Sequence, residues 1–243
     1  MNEPNATSQR RSDVDRHTPD LGRIGVLGGT LDPIHCGHLG AAAAARDAFA
    51  LPRVLVMPSH VPPHRPVQPS ASPFHRFAMT ALAVTGLPRI EACDDELRAE
   101  GPSYTATTLE RLQARGFAAS QIFFITGADA FADIATWKRY PDVLDLAHFV
   151  VVSRPGYDID SLPSRLPDLR DRMRPAAAPA RTDGRTLVFL LPAPTPDVSS
   201  TRLRERLRRG EPVAGLVPPL VDTYIHQHHL YSAAPADHLH GQD

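Results

Sequence analysis

Two histidines three residues apart follow a glycine-rich stretch in Ile24-Gly25-Val26-Leu27-Gly28-Gly29-Thr30-Leu31-Asp32-Pro33-Ile34-His35-Cys36-Gly37-His38. Glycines at the end of an apolar run let the backbone take positive φ and approach a ligand closely. A helix beginning at such a point presents unpaired N–H groups and the positive end of its dipole, a ready site for a phosphate. Imidazoles placed there can donate to anionic oxygens, and a bound phosphate would raise their pKa toward the charged form. A second helix opens at Ser199-Ser200-Thr201, where hydroxyls can cap its first turn. Neither stretch is the dinucleotide G-x-G-x-x-G or the P-loop G-x-x-x-x-G-K-[ST]. No Ser-His-Asp or Cys-His pattern offers a side-chain nucleophile.

These groups need a scaffold. Apolar runs rich in β-branched and aromatic residues recur at Ile24–Leu27, Val54–Met57, Ile90–Ala92, Ile122–Thr126, Phe149–Val152 and Leu187–Leu191. Lacking in–out alternation, they read as buried strands of a parallel sheet. Helical spacing lies between them over His38–Ala50, Pro73–Val84, Thr105–Arg115 (with Gly116 as its stop), Ala130–Lys138 and Pro141–Ala147, and again from Ser199 and over Pro219–His229. Strand–helix alternation predicts an α/β fold, a Rossmann-like doubly wound parallel sheet with its ligand crevice at the strand C-terminal ends. Residues 155–185, proline-rich and studded with arginine and aspartate, read as a surface excursion with one short helix. Residues 1–21 are expected to be a disordered tail, 22–231 one domain, and 232–243 a polar histidine-containing tail.

Composition narrows the class. The 243 residues carry 26 basic and 27 acidic side chains, a formal charge of −1, which argues against a nucleic-acid partner. No apolar run spans a bilayer and no secretory signal is visible, so no membrane partner and a cytoplasmic location are expected. Two cysteines, Cys36 and Cys93, make neither a disulfide framework nor a metal cluster. The histidines at 226, 228, 229, 238 and 240 straddle a helix end and the tail, and no metal site is assigned to them.

The string Gly28-Gly29-Thr30-Leu31-Asp32-Pro33-Ile34-His35-Cys36-Gly37-His38 resembles the H-x-G-H nucleotidyltransferase superfamily. Five further stretches resemble one branch of it, the bacterial nicotinate-nucleotide adenylyltransferases: Met57-Pro-Ser-His-Val-Pro-Pro-His64-Arg65, Ser103-Tyr104-Thr105 with Leu109, Gly127-Ala-Asp129 with Trp137-Lys138, Ser199-Ser200-Thr201 with Arg204, and Leu216-Val-Pro218 with Tyr224-Ile225 through Leu230-Tyr231. The resemblance covers roughly residues 22 to 231. It departs at Leu31, where the family has Phe, and at Arg65, where it has Lys; Arg65 keeps the charge.

The resemblance implies adenylyl transfer from ATP to nicotinate mononucleotide, giving deamido-NAD and pyrophosphate in NAD biosynthesis. It implies a catalytic role for His35, His38 and Arg204. Gly28, Gly29, Thr30, Asp32, Gly37, Arg65, Gly127, Asp129, Ser199, Ser200 and Thr201 would bind ATP. Tyr104, Thr105, Trp137, Lys138 and Tyr140 would hold the mononucleotide, with Trp137 stacked on the pyridine ring. Asp129 has two readings, a ribose contact or a cap on the following helix. Mg²⁺ would arrive on the phosphates, with no dedicated carboxylate cage. Cys36, in the variable slot of the histidine motif, is expected to be inert filler. Oligomeric state is left open, a homodimer included. A pantetheine-phosphate or cytidylyl transferase is the nearest rival, and a nucleotide-sensing protein without turnover the rival of another class.

Overall fold

A computed structural model describes residues 21–62, 69–177 and 185–232. The tail before residue 21, Arg65 with its neighbours His64 and Pro63, and the tail after residue 232 lie outside the described residues. Seven strands form one parallel sheet: β1 (Ile24–Gly29), β2 (Val54–Pro58), β3 (Ile90–Ala92), β4 (Ile122–Gly127), β5 (His148–Val152), β6 (Met173–Pro175) and β7 (Val188–Leu191). Their order is β3-β2-β1-β4-β5-β7-β6, and every pairing is parallel. The order reverses between β1 and β4, which places a crevice at their C-terminal ends.

The helices are α1 (Cys36–Ala48), α2 (Pro73–Val84), α3 (Thr105–Ala114), α4 (Ala128–Ala132), α5 (Leu162–Arg165), α6 (Ser200–Arg208) and α7 (Pro219–Gln227). Side chains of a strand alternate between faces, and the sheet sorts them accordingly. Leu27, Val54, Val56, Phe123, Ile125 and Val150 join the apolar layer under α1, α2, α6 and α7. Val26, Leu55, Met57, Phe124, Phe149 and Val151 join the opposite layer under α3, α4 and α5. Both faces are therefore buried, which is why the strands read as continuous apolar runs. Helix α3 stops where expected, with Gly116 at φ +101.

Three expectations are corrected. A seventh strand, β6, lies inside the 155–185 excursion, and Ile159, Leu162, Leu169 and Met173 of that stretch are buried in the second layer. The helix expected over Ala130–Lys138 is the short α4 followed by a 3₁₀ turn at Ile134–Thr136. There the Thr136 hydroxyl donates to the Asp133 carbonyl at 2.8 Å, the local competition that threonine offers to a continuing helix. Pro141–Ala147 likewise carries only a 3₁₀ turn, Asp142–Asp145. Among the described residues no helix is long and apolar enough to cross a membrane.

Candidate active site

A cavity of about 1030 Å³ opens at the β1–β4 switch point. Its floor is Gly28, Gly29 and Thr30 at the end of β1. Gly127 and Asp129 border it at β4, Ser153 and Arg154 follow β5, and Ser199, Ser200 and Thr201 close it from the start of α6. Tyr104, Thr105, Trp137 and Lys138 line the far wall.

His35 is the N-cap of α1 and is 1% exposed. Its backbone N–H donates to Nδ1 of His38 at 3.3 Å, and the two rings stack with centroids 3.7 Å apart. An imidazole that accepts at Nδ1 carries its proton on Nε2. Burial, with Arg154 nearby adding repulsion, brings the His35 pKa down from 6.5 to about 3. His35 is thus neutral here. Gly37 stands between them because a Cβ there would meet His35 Cε1 and Nδ1 at 3.1 Å and Val198 Cγ1 at 3.2 Å.

Helix α6 is tied to the turn that carries these histidines. Ser199 caps it by accepting from the Arg202 N–H at 3.3 Å, and the Ser200 hydroxyl donates to the Pro33 carbonyl at 2.9 Å. Arg204 is not among the residues that line the cavity. Its Nη1 donates to the Asp32 carbonyl at 2.6 Å, and Nη2 reaches Thr201 Oγ1 at 3.3 Å. Asp32 is also turned inward. Its carboxylate, 2% exposed, accepts from the Ser70 and Ala71 N–H groups at 2.8 and 3.1 Å and from the Tyr231 hydroxyl at 2.7 Å. Both were expected at the phosphates; three donors hold the Asp32 carboxylate, and the Asp32 carbonyl and the Thr201 hydroxyl hold Arg204. Arg202, exposed at the surface, reaches the rim of the cavity and pairs with Asp197 at 3.2 Å.

On the far wall Tyr104 caps α3 and Thr105 opens it. Lys138 Nζ sits 4.1 Å from the centre of the Tyr104 ring. Trp137 meets Phe124 edge-on, 6.1 Å between centroids, and Phe149 at 6.3 Å, so it borders the cavity while resting on the core. Tyr140 packs against the second apolar layer and is not among the lining residues, a correction. Asp129 makes no cap: Gly127 is the N-cap of α4, and Asp129 Oδ1 lies 3.6 Å from Arg154 Nε. Cys36 Sγ points to the Gly215 carbonyl at 3.6 Å, and burial pushes its pKa up, away from a reactive thiolate.

Two lining residues carried no signal in the sequence. Arg154 follows β5, and Glu96 is 6% exposed, accepting from the Thr108 hydroxyl at 2.7 Å. Burial pushes the Glu96 pKa up, partly offset by the Thr108 and Ser103 hydroxyls. Single charged residues in loops look alike in a sequence, whether exposed or turned inward.

A doubly wound parallel sheet with the H-x-G-H turn and the serine-capped helix on one crevice defines a cytidylyltransferase-like nucleotidyltransferase, and the Cytidylyltransferase-like family model matches residues 26–206. The chain is 43% identical to a probable nicotinate-nucleotide adenylyltransferase of Roseiflexus sp. (strain RS-1), over 86% of this chain and 97% of that one. It is 40% identical to a protein of the same description from Pseudomonas aeruginosa (strain UCBPP-PA14), over 87% and 98%. In fold it is similar to the Plasmodium falciparum nicotinic acid mononucleotide adenylyltransferase complexed with NaAD, with a TM-score of 0.66 over 86% of this chain and 97% of that one, at 17% identity. The chain belongs to the nicotinate-nucleotide adenylyltransferase family.

Proposed function

We propose that this chain transfers the adenylyl group of ATP to the 5′-phosphate of nicotinate mononucleotide, releasing pyrophosphate and forming deamido-NAD for NAD biosynthesis. The observation that carries the reading is a single cavity shared by two kinds of wall. One wall is the histidine-capped start of α1 facing the serine-capped start of α6; the other is aromatic, with Tyr104 and Trp137.

The nucleophile is a phosphate oxygen, already anionic near neutral pH because its second pKa is about 6. No side-chain base is required, and catalysis rests on alignment and on neutralising the triphosphate. In this reading Gly28, Gly29 and Thr30 let the phosphates lie against the backbone. His38 donates through Nε2, and the first-turn amides of α1 and α6 supply further donors. Neutral His35 holds the His38 ring by stacking. Arg154 and Arg202 are the lining guanidiniums available to the triphosphate, while Arg204 acts by fixing the Asp32 turn.

Asp129 accepts from a ribose hydroxyl, and Gly127 leaves room for the sugar: a Cβ there would sit 2.5 Å from Asp129 Oδ1. Trp137 stacks on the pyridine ring beside Tyr104, Thr105 and Lys138. Mg²⁺ enters as part of its complex with ATP. Among the described residues no three histidine, cysteine or acidic side chains converge to hold an ion, so its ligands in this reading are phosphate oxygens and water. The enzyme is taken to work in the cytoplasm.

The test is pyrophosphate release from MgATP with nicotinate mononucleotide, nicotinamide mononucleotide or pantetheine phosphate as acceptor. Turnover with the first is expected. Release only with pantetheine phosphate would transfer the chain to the rival reaction, and binding without release would make it a sensor.

A further inference from the structure

Arg76, on α2, is 0% exposed. Its guanidinium is spent on backbone carbonyls. Nη1 donates to Thr30 at 2.7 Å and to Ser59 at 2.6 Å, Nη2 to His60 at 3.1 Å, and Nε to Ala71 at 3.3 Å. Burial draws its pKa down while Asp32, Tyr231 and Glu96 draw it up; a guanidinium stays charged under such opposed influences.

The four carbonyls belong to three segments. Thr30 lies on the turn after β1, two residues before Asp32 and five before His35, on the phosphate wall. Ser59 and His60 lie on the turn after β2. That turn leads to the mononucleotide wall, because the His60 N–H donates to Ser103 Oγ at 2.8 Å, and Tyr104 and Thr105 come next. Ala71 closes the knot: its N–H donates to Asp32 Oδ1 at 3.1 Å and its carbonyl accepts from Arg76. Thr30 and Ser59 also line the cavity. One planar fork therefore braces the two turns from behind, beside the backbone bond that the Ser59 N–H donates to the Gly29 carbonyl at 2.8 Å.

We propose that Arg76 is a positioning residue for adenylyl transfer: it holds the phosphate wall and the mononucleotide wall at the separation that aligns the two substrates, without touching either. The inference rests on the functional reading above. A reaction that depends on alignment is sensitive to such a tie, since a displacement of about 1 Å caused far from the reacting atoms can cost about a hundredfold in rate. Each wall keeps its own contacts when the tie is cut, so the loss belongs in kcat and not in KM. Lysine cannot substitute, because an ammonium is a point donor and the four carbonyls need a fork.

The test is steady-state kinetics of Arg76→Lys and Arg76→Ala, scaled to the folded fraction measured by circular dichroism at the assay temperature. The expected result is a kcat lowered on the order of a hundredfold in both, with each KM near its wild-type value. Added guanidinium ion should restore part of kcat in Arg76→Ala, and methylammonium should not. Wild-type kcat per folded molecule in Arg76→Lys would overturn the assignment, as would a loss confined to KM. If neither variant folds, with or without guanidinium, Arg76 is a residue of the fold alone and the assignment falls. A wild-type chain that releases no pyrophosphate would fail the functional reading instead, before any variant is compared.

Discussion

Nη1 of Arg204 lies 2.6 Å from the carbonyl oxygen of Asp32, and 3.8 Å from that residue's carboxylate. The side chain is 12% exposed, so this bond joins α6 to the histidine turn in a largely dry setting. Removing the guanidinium leaves a buried carbonyl without its donor, at a cost of about 1–3 kcal/mol. Arg204→Ala should therefore lower the melting temperature, by roughly 2–4 °C for each kcal/mol in a chain of this size. Its kcat should fall as well, because His35 and His38 sit on the same turn. A scanning calorimetry trace with an unchanged midpoint would show that the bond does not form in solution and return Arg204 to the phosphates.

Two glycines of α1 make a matched pair. A methyl group at Gly37 would press on the buried His35 ring and on Val198 at 3.1–3.2 Å, whereas at Gly40 it would find Pro196 and Thr195 at 3.7 Å. Overpacking of the first kind costs about 1–3 kcal/mol, and a displaced His35 ring also shifts its stacked partner. Gly37→Ala should lose activity as well as stability. Gly40→Ala should gain up to about 1 kcal/mol from helix propensity with turnover unchanged. Equal kinetics for the two variants would detach the histidine stack from the reaction.

His148 and His35 predict how the fold responds to acid. Buried against Phe123 and Phe189, His148 accepts the Leu187 N–H at Nδ1, 2.9 Å, and desolvation brings its pKa down from 6.5 to about 4. The unfolded chain binds the proton first. Stability is therefore complete above about pH 6.5 and is lost as the pH falls toward 4, by on the order of 3 kcal/mol for His148 alone. His35 adds a loss of the same sign. In His148→Asn, which keeps an acceptor for Leu187, the fall in melting temperature between about pH 7 and about pH 5 should be shallower than in the wild type. Parallel curves would mean that His148 does not titrate with unfolding.

The sheet was legible because most of its strands are apolar on both faces and flanked by helical spacing. The seventh was not: Met173–Pro175 has one buried side chain and ends in the proline that only an edge strand tolerates. The histidine and serine motifs were legible as helix starts, since caps and glycines have local causes. The direction of Arg204 was not, because it depends on a carbonyl 172 residues away in the chain. Arg76, Glu96 and Arg154 were invisible for a related reason. Charged residues signal burial only through partners that distant segments supply.

Selectivity for the acid over the amide is the sharpest consequence of the far wall. Tyr104 caps α3 without a side-chain bond, and Thr105, which opens the helix, lines the cavity at the positive end of the helix dipole. Lys138, held over the Tyr104 ring, adds positive charge beside it. A nicotinate carboxylate at this helix start satisfies its N–H donors with either oxygen. The amide turns its own NH₂ toward one of them and leaves it unpaired, at a cost of about 1–3 kcal/mol. Since about 1.4 kcal/mol is tenfold in rate, kcat/KM for nicotinate mononucleotide should exceed that for the nicotinamide form at least about tenfold. Trp137 is expected to be indifferent to the substituent, because ring stacking does not read it. Trp137→Ala should raise KM for both mononucleotides by a similar factor, leave KM for ATP near its wild-type value, and lower the melting temperature through lost contact with Phe124 and Phe149. Trp137→Phe should recover most of both. Equal use of the two mononucleotides by the wild type, or an unchanged mononucleotide KM in Trp137→Ala, would move the pyridine ring away from this wall while leaving the histidine turn as the seat of adenylyl transfer.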